Sequence, residues 1–466
     1  MLDEDELLQE EEPTTEETYG ALRRHLQRRD GFGLVFVRCA PADVAEIVER
    51  LEGNIPEKKM GILALDEPVT DLYDLVAEKI ESQPLEVVFI TGFEKSLVDD
   101  IRPGLGGKGD YYNENTIQLV LGSLNLQREK FRDQLKTCLV FFVPIFAIRY
   151  LLRRAQDFFD WRTSIYEFPM QTEALREKSH QVWLEGDYNE YCVLSSADRK
   201  NKILEICDLL EEENQTLGEK QRLWFELGNL FTADLAYEEA IAAYDQALHI
   251  KPDKDEAWNN RGIALRKLGR YEEAIAAYDQ ALHIKPDKDE AWNNRGYALD
   301  ELGRYEEAIA AYDQALHIKP DKDEAWYNRG YALDKLGRYE EAIAAYDQVL
   351  HIKPDDHEAW YNRGIALRKL GRYEEAIAAY DQALHIKPDD HAAWYSRGLV
   401  LQKVGRRREA QRSLLKAIEL NPEWFWKQVR VAWRSRMTSL LSKFRVSKII
   451  KPIDCVGCVR RLFSKI

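Results

Sequence analysis

The fold of this chain is decided by a stretch of 34 residues, 255–288, which reads DEAWNNRGIALRKLGRYEEAIAAYDQALHIKPDK. Similar copies precede and follow it, and prolines recur at the same step from Pro252 to Pro422. A fixed period of this size is typical of a repeat array in which each repeat is one structural element pair. The sequence therefore predicts six repeats over residues 221–424, marked by tryptophans at Trp224, Trp258, Trp292, Trp326, Trp360 and Trp394.

Each repeat has the pattern of two helices joined by a tight turn. The spacing of Asp253 and Glu256 is that of a capping box, which predicts a first helix, helix A, from about residue 255. Gly269 is expected to end helix A. Tyr271 begins the second helix, helix B, and Pro286 ends it because proline cannot continue helical hydrogen bonding. One hairpin cannot bury its own apolar faces, so the repeats are expected to stack into a solenoid.

The repeat resembles the tetratricopeptide repeat at the family's signature offsets. The resemblance covers all six repeats, of which the first and the last are degenerate. It implies a right-handed superhelix in which helices A line the concave side, where the family binds its ligands. The positions that carry the resemblance in the second repeat are Trp258, Gly262, Leu265, Ala274, Tyr278, Ala281 and Pro286.

Repeats two to five are near-copies, so the positions at which they differ are informative. The variable positions are spaced i, i+4, i+7 and i+8, which places them on one face of helix A. Exposed helix B residues such as Glu272, Asp279 and Gln280 are the same in all four copies. Drift in freshly duplicated repeats would scatter over both helices, so we favour a face adapted to a partner.

We therefore predict a peptide-binding groove on helices A, made of the variable residues and the constant asparagines beside them. An asparagine amide can pair with the backbone of an extended or helical segment. The charges change sign along the groove, which suits an acidic segment at either end and equally a partner of mixed charge. The predicted groove residues are Asn259, Asn260, Ile263, Arg266, Lys267, Asn293, Asn294, Tyr297, Asp300, Glu301, Tyr327, Asn328, Tyr331, Asp334, Lys335, Tyr361, Asn362, Ile365, Arg368 and Lys369.

An arginine occupies the next position in repeats two to six, where the resemblance gives an apolar residue. We expect its stem to be buried and its guanidinium to bond between repeats rather than to a ligand. The positions are Arg261, Arg295, Arg329, Arg363 and Arg397.

Residues 19–170 have a different texture, in which short apolar runs alternate with helical patterns. Runs that are apolar at every position, such as residues 87–90 and 139–143, suit parallel strands covered on both faces. We predict a three-layer α/β domain with a mainly parallel sheet, its strands at 33–38, 60–65, 86–91, 138–143 and 163–168 and its helices at 42–51, 70–80, 115–135 and 145–158.

The order of these elements resembles the nucleotide-binding core of the STAND class of ATPases, the signal-transduction ATPases with numerous domains. Such a core binds phosphates with a glycine-rich loop and a lysine after its first strand. Here that turn, Arg38 to Asp43, has neither glycine nor lysine, and no Asp directly follows the strand at 86–91. We therefore predict a degenerate, P-loop-lacking domain with no cofactor, no metal and no enzymatic activity.

The two ends of the chain carry opposite charges. Nine of the first 18 residues are Asp or Glu, which predicts an acidic, disordered tail over 1–18. From Trp424 onward the chain contains eleven Lys or Arg residues and one Asp, which gives a local charge of +10 in a chain of net charge −16. Residues 425–466 are predicted as a basic amphipathic helix that caps the last repeat, with nucleic acid or an anionic membrane as an alternative contact. Residues 171–220 are predicted as a helical linker.

The sequence as a whole predicts a non-enzymatic scaffold or adaptor that binds a segment of a partner protein. Six scattered cysteines, an acidic start and no apolar run long enough to cross a bilayer predict a cytoplasmic location. The alternatives are a nucleotide-dependent signalling switch through residues 19–170, and a tether to membrane or nucleic acid through the basic C-terminus.

Overall fold

The computed structural model describes residues 14–39, 43–97, 119–144, 147–148, 151–152, 155–168, 172–212 and 215–424. The chain divides into two compact units, Met1–Ala298 and Leu299–Ile466. Within the described residues no helix is both long enough and apolar enough to cross a membrane.

The first unit begins with a parallel sheet of five strands in the order β2-β3-β4-β1-β5. The prediction of a mainly parallel α/β domain is confirmed, and the ends of each strand lie within one residue of the prediction. The elements are α1 (Thr15–Arg28), β1 (Gly33–Arg38), α2 (Val44–Asn54), β2 (Met60–Ala64), α3 (Leu72–Ser82), β3 (Val87–Thr91), a 3₁₀ turn (Phe93–Ser96), α4 (Leu119–Gln134), β4 (Cys138–Phe142), α5 (Gln156–Phe159) and β5 (Arg162–Glu167).

Helices cover the sheet on both faces because successive side chains of a strand point to opposite sides. In β1, Leu34 and Phe36 pack with α3, α4 and α5, whereas Val35 and Val37 pack with α1 and α2. These two apolar clusters give the three layers that the sequence predicts.

Two predictions for this region need correction or completion. The acidic tail is predicted as disordered to residue 18, but α1 begins at Thr15, and Thr14 and Glu17 form a capping box. The disorder prediction is therefore wrong for residues 15–18, and residues 1–13 lie outside the described part. Of the predicted helix over 145–158, the described residues 147–148, 151–152 and 156–158 are helical.

The predicted linker is a packed connector made of α6 (Thr172–Leu184), α7 (Tyr188–Val193) and α8 (Ser196–Leu210). Leu204 of α8 belongs to the apolar core of the α/β domain. Arg199 of the same helix forms an ion pair with Asp234 of the first repeat, with 3.0 Å between Nε and Oδ1. The connector therefore contacts both the sheet domain and the repeats.

The rest of the described chain consists of helical hairpins, which confirms the prediction of an all-helical repeat array. Helix A of repeat 3 contains the boundary between the two compact units. Helices A and B of repeats 1 to 6 are, in order, Leu217–Ala233 and Tyr237–Ile250, Asp255–Lys267 and Tyr271–Ile284, Asp289–Glu301 and Tyr305–Ile318, Asp323–Lys335 and Tyr339–Ile352, His357–Lys369 and Tyr373–Ile386, and His391–Lys403 and Arg407–Leu420.

Local contacts explain why the repeat sequence is so regular. The Trp258 indole donates from Nε1 to the Pro252 carbonyl at 2.9 Å, and the same bond recurs in the four following repeats. Gly269 has a φ of +76°, so it ends helix A in the left-handed conformation that favours glycine. A Cβ on Gly262 would lie 2.5 Å from the ring of Tyr278, so the close approach of helices A and B requires a glycine there.

The predicted capping box at Asp253 is wrong. The residue that precedes helix A of repeat 2 is Lys254, and its side chain makes no capping bond. In repeats 5 and 6 aspartate occupies this register, and Asp356 accepts a hydrogen bond from the Ala359 backbone N–H at 2.9 Å. When the starts of helix A in repeats 2, 4, 5 and 6 are compared, a side-chain cap at this position is present in repeats 5 and 6 and absent in repeats 2 and 4.

Candidate functional site

The residues predicted for the groove fall into three levels of exposure. Two are buried, Asn259 and Asn293, and five are exposed, Lys267, Glu301, Tyr331, Lys335 and Lys369. The half-buried ones are Asn260, Ile263, Arg266, Asn294, Tyr297, Asp300, Tyr327, Asn328, Asp334, Tyr361, Asn362, Ile365 and Arg368.

The first variable position and the constant asparagine beside it connect successive repeats. The amide of Asn294 donates to Oδ1 of Asn259 at 3.3 Å, and Asn259 is only 4% exposed. In the later repeats Tyr327 replaces the buried asparagine, and its hydroxyl accepts from the Asn362 amide at 2.8 Å. Asparagine and tyrosine supply the same acceptor at this position, so its variation preserves a structural contact.

The connector covers the corresponding face of repeat 1. Glu226, which occupies the register of Asn260, is buried and accepts a hydrogen bond from the Tyr191 hydroxyl of α7 at 3.2 Å. Burial raises the pKa of Glu226, an effect that bonds from Asn229 and Tyr191 oppose. A segment of the chain itself thus lies on a helix A face and presents a hydroxyl to it.

In the second unit the helix A face of repeat 4 is open and aromatic. The Tyr331 side chain is 39% exposed, and the Lys335 ammonium lies 4.7 Å from the centre of its ring. The neighbouring Tyr327 packs inward against Tyr346 of helix B, with ring centres 5.9 Å apart. Tyr331 is therefore the exposed aromatic surface of this repeat.

Two half-buried carboxylates lie in the same register of repeats 3 and 4. Oδ1 of Asp300 and Oδ1 of Asp334 are both buried without a hydrogen-bond partner. Burial and the nearby Glu301 raise the pKa of Asp300 to about 6, against the opposing influence of Lys335. Burial also raises the pKa of Asp334, against the influence of Lys369, Lys335 and Arg368.

The arginines that follow the asparagines form ion pairs between repeats, as predicted. In each case Nε donates to Oδ1 of an aspartate on helix B of the preceding repeat, at 2.5 to 2.6 Å. The pairs are Arg261–Asp245, Arg295–Asp279, Arg329–Asp313, Arg363–Asp347 and Arg397–Asp381. The constancy of Asp279 and its equivalents on helix B therefore has a structural cause.

The guanidinium at the carboxyl end of β1 is engaged by carboxylates. The Arg38 guanidinium pairs with Glu212, after α8, at 2.8 Å, and with Glu167 of β5 at 3.4 Å. Burial and the nearby Asp43 raise the pKa of the Cys39 thiol to about 12. Burial likewise raises the pKa of Glu94, which follows β3. Residues 40–42 of this turn lie outside the described residues.

Metal ligands were not predicted, and in the described residues no group of three or more His, Cys, Asp or Glu side chains is arranged to hold an ion. Described cysteines 39, 138, 192 and 207 are free thiols. The predicted basic C-terminal helix, 425–466, lies outside the described residues.

Comparisons with known proteins agree with the hairpin repeats. Residues 225–289, 259–323, 293–357 and 327–391 match one family model of the tetratricopeptide repeat, and residues 391–423 match a second. Residues 225–423 are thus tetratricopeptide repeats. The resemblance of residues 19–170 to a STAND core stays a prediction.

Several solved structures are similar to the repeats. A crystal structure of MamA is 27% identical, covering 35% of this chain and 95% of MamA, with a TM-score of 0.34. MamA from Desulfovibrio magneticus RS-1 is 25% identical over 36% of this chain and 96% of its own, with a TM-score of 0.35. YrrB, described as a tetratricopeptide-repeat protein with an unusual peptide-binding site, is 22% identical over 41% and 98%, with a TM-score of 0.37. No curated protein matches the chain.

Proposed function

We propose that this protein is a non-enzymatic scaffold that binds a segment of a partner protein on the helix A face of its repeats. The observation that carries the proposal is the different fate of two sets of repeat residues. Helix B residues that stay constant, such as Asp279, are engaged in ion pairs between repeats. Variable helix A residues such as Tyr331 and Lys335 are exposed. Repeat proteins bind partners on extended faces of this kind.

The structure refines the predicted contact set. Asn259 and Asn293 are buried, so we exclude them from direct partner contact. Repeat 1 is also excluded, because α7 covers its helix A face through Tyr191 and Glu226. The proposed contacts in the second unit centre on Tyr331, since exposed tyrosine supplies a large, rigid binding area.

The proposal is tested with a photo-crosslinking amino acid placed in the full-length chain at Tyr331 or, as a matched control, at Gln348. Gln348 is exposed on helix B of the same repeat. We expect a partner protein to crosslink at position 331 and not at 348. The crosslinked peptide, identified by mass spectrometry, shows which segment of the partner is bound.

The same partner is then titrated against the variants Tyr331→Ala and Gln348→Ala. Loss of an anchoring aromatic contact is expected to weaken binding by about tenfold, whereas Gln348→Ala leaves it unchanged. A partner that crosslinks at 348 alone, or that binds both variants equally well, would contradict binding on the helix A face.

A further inference from the structure

We propose that the carboxylates of Asp300 and Asp334 determine specificity on the helix A face by bonding lysine or arginine side chains of the bound partner segment. This inference rests on the proposed function, and it adds the chemistry of the partner. It is carried by the energetic cost that the two aspartates impose on the unbound chain.

Both aspartates lie where their negative charge is unfavourable for the helix they belong to. Asp300 and Asp334 are the penultimate residues of their helices, Asp289–Glu301 and Asp323–Lys335. A negative charge in the last turn opposes the helix dipole. In repeats 2 and 5 the same register carries Arg266 and Arg368, which have the favourable sign.

The surroundings compensate only in part for this placement. Oδ1 of each aspartate is buried and receives no hydrogen bond. A buried oxygen without a donor costs free energy relative to one that is bonded to water. Lys335, a cation that opposes the rise in the pKa of both aspartates, lies over the ring of Tyr331, and in the described part of the chain it forms no ion pair with either of them. Positions that break local rules without a gain within the chain are expected at functional sites.

A donor-bearing cation is the ligand that would remove this cost. A guanidinium or ammonium group supplies several N–H donors and a positive charge together, and a guanidinium can bond two carboxylate oxygens at once. A calcium ion would need six or more oxygen ligands, and two aspartates in adjacent repeats do not provide them. The next repeat carries Arg368 and Lys369 in the corresponding positions, so the cation is confined to repeats 3 and 4.

A protein segment is the source of this cation that the site favours. Tyr331, the exposed aromatic residue of the same face, stands one turn before Asp334 on helix A. An aliphatic lysine or arginine stem that lies across the tyrosine ring would bring its charged end toward the carboxylates. A small amine would carry the charge but has no aliphatic stem to pack on the Tyr331 ring.

The test uses a displayed library of random peptides, selected on the full-length chain and in parallel on the double variant Asp300→Asn/Asp334→Asn. The control is Glu306→Gln, which removes an exposed carboxylate from helix B of the same repeat. We expect the enriched peptides to share a lysine or arginine at a fixed position and to bind the wild type and Glu306→Gln equally. Their affinity for the double variant should be lower by about tenfold or more.

Synthetic peptides complete the test. Replacing the shared basic residue by norleucine should cost the wild type the same factor in affinity, and should cost the double variant nothing further. Circular dichroism establishes that the double variant is folded. The inference would be overturned by enriched peptides without a basic residue, or by peptides that bind the double variant as tightly as the wild type. It would also be overturned if calcium alone stabilised the chain against unfolding as much as the peptides do.

The outcomes also separate this inference from the proposed function. If the peptides bind Tyr331→Ala more weakly but bind the aspartate variants as tightly as the wild type, the proposed binding on the helix A face stands and the proposed role of the aspartates is wrong. If no peptide is enriched on the wild-type chain, both proposals fail together.

Discussion

Replacing Asp300 by asparagine is expected to stabilise the unbound protein at high pH, although it removes a residue of the proposed binding site. The folded chain raises the pKa of Asp300 from its ordinary 3.8 to about 6. Well below pH 3.8 the carboxyl is protonated in both states and the burial costs nothing. Between pH 3.8 and 6 the unfolded state loses its proton while the folded state keeps it, so the free energy of unfolding decreases over this range and levels off above pH 6, where the folded state holds a buried charge.

A change of pKa of this size corresponds to about 3 kcal/mol at pH 8. The side chain is only half-buried, so solvent screening reduces the expected gain from Asp300→Asn to about 1–2 kcal/mol. At pH 4 the gain should fall to a few tenths of a kcal/mol by the same linkage. The measurement is urea denaturation followed by circular dichroism, with wild type and variant compared at each pH.

Glu306→Gln is the control for this prediction, because Glu306 is exposed on helix B of the same repeat. It is expected to change the free energy of unfolding by less than about 0.5 kcal/mol. A variant Asp300→Asn that is destabilised at pH 8, or equally stabilised at pH 4 and pH 8, would refute the argument that the buried charge is uncompensated.

Four further substitutions test how the chain is held together. Leu235 has a φ of +62° at the register where other repeats have glycine, so Leu235→Gly should stabilise repeat 1 by about 1 kcal/mol, measured by hydrogen exchange of its helices. Asp356→Ala removes the side-chain cap of repeat 5 and should cost about 1 kcal/mol, seen as a lower urea midpoint. Gly330→Ala places a Cβ 2.8 Å from the ring of Tyr346 and should cost about 1–3 kcal/mol, whereas Gly53→Ala in α2, with open space around it, should gain about 0.5–1 kcal/mol.

The sequence predicts the elements of this fold well where one dominant force selects them. Residues 87–90 of β3 and 138–142 of β4 are apolar at every position, and a sheet covered on both faces has few other solutions for such runs. The ends of helices depend on weaker effects. Lys254, not Asp253, precedes helix A of repeat 2, because a one-residue shift of a cap costs less than a shift of the apolar stripe that Trp258 belongs to.

The candidate site is predictable as a face but not as a set of contacts. The four variable positions do lie on helix A, as their spacing requires. The spacing does not reveal that Asn259 is buried and accepts a bond from Asn294. The exchange of Asn259 for tyrosine at position 327 then looks like adaptation to a ligand, although both side chains supply an acceptor to the next repeat.

The sequence does not predict that α7 covers the helix A face of repeat 1. Glu226 shares the register of Asn260, and a carboxylate there is the one signal that this repeat differs. Its partner, Tyr191, lies 35 residues upstream in the connector, and no local pattern links the two. The connector and the first repeat are therefore joined through a polar contact that only the folded chain reveals.

The ion pairs between repeats have a consequence for how such a chain can change length. Each arginine pairs with the aspartate 16 positions before it, and the near-identical copies make each junction chemically equivalent to the next. Loss or duplication of one whole 34-residue segment by recombination would recreate the same pair at the new junction. A change in the number of repeats would therefore need no compensating substitution at the junctions between them.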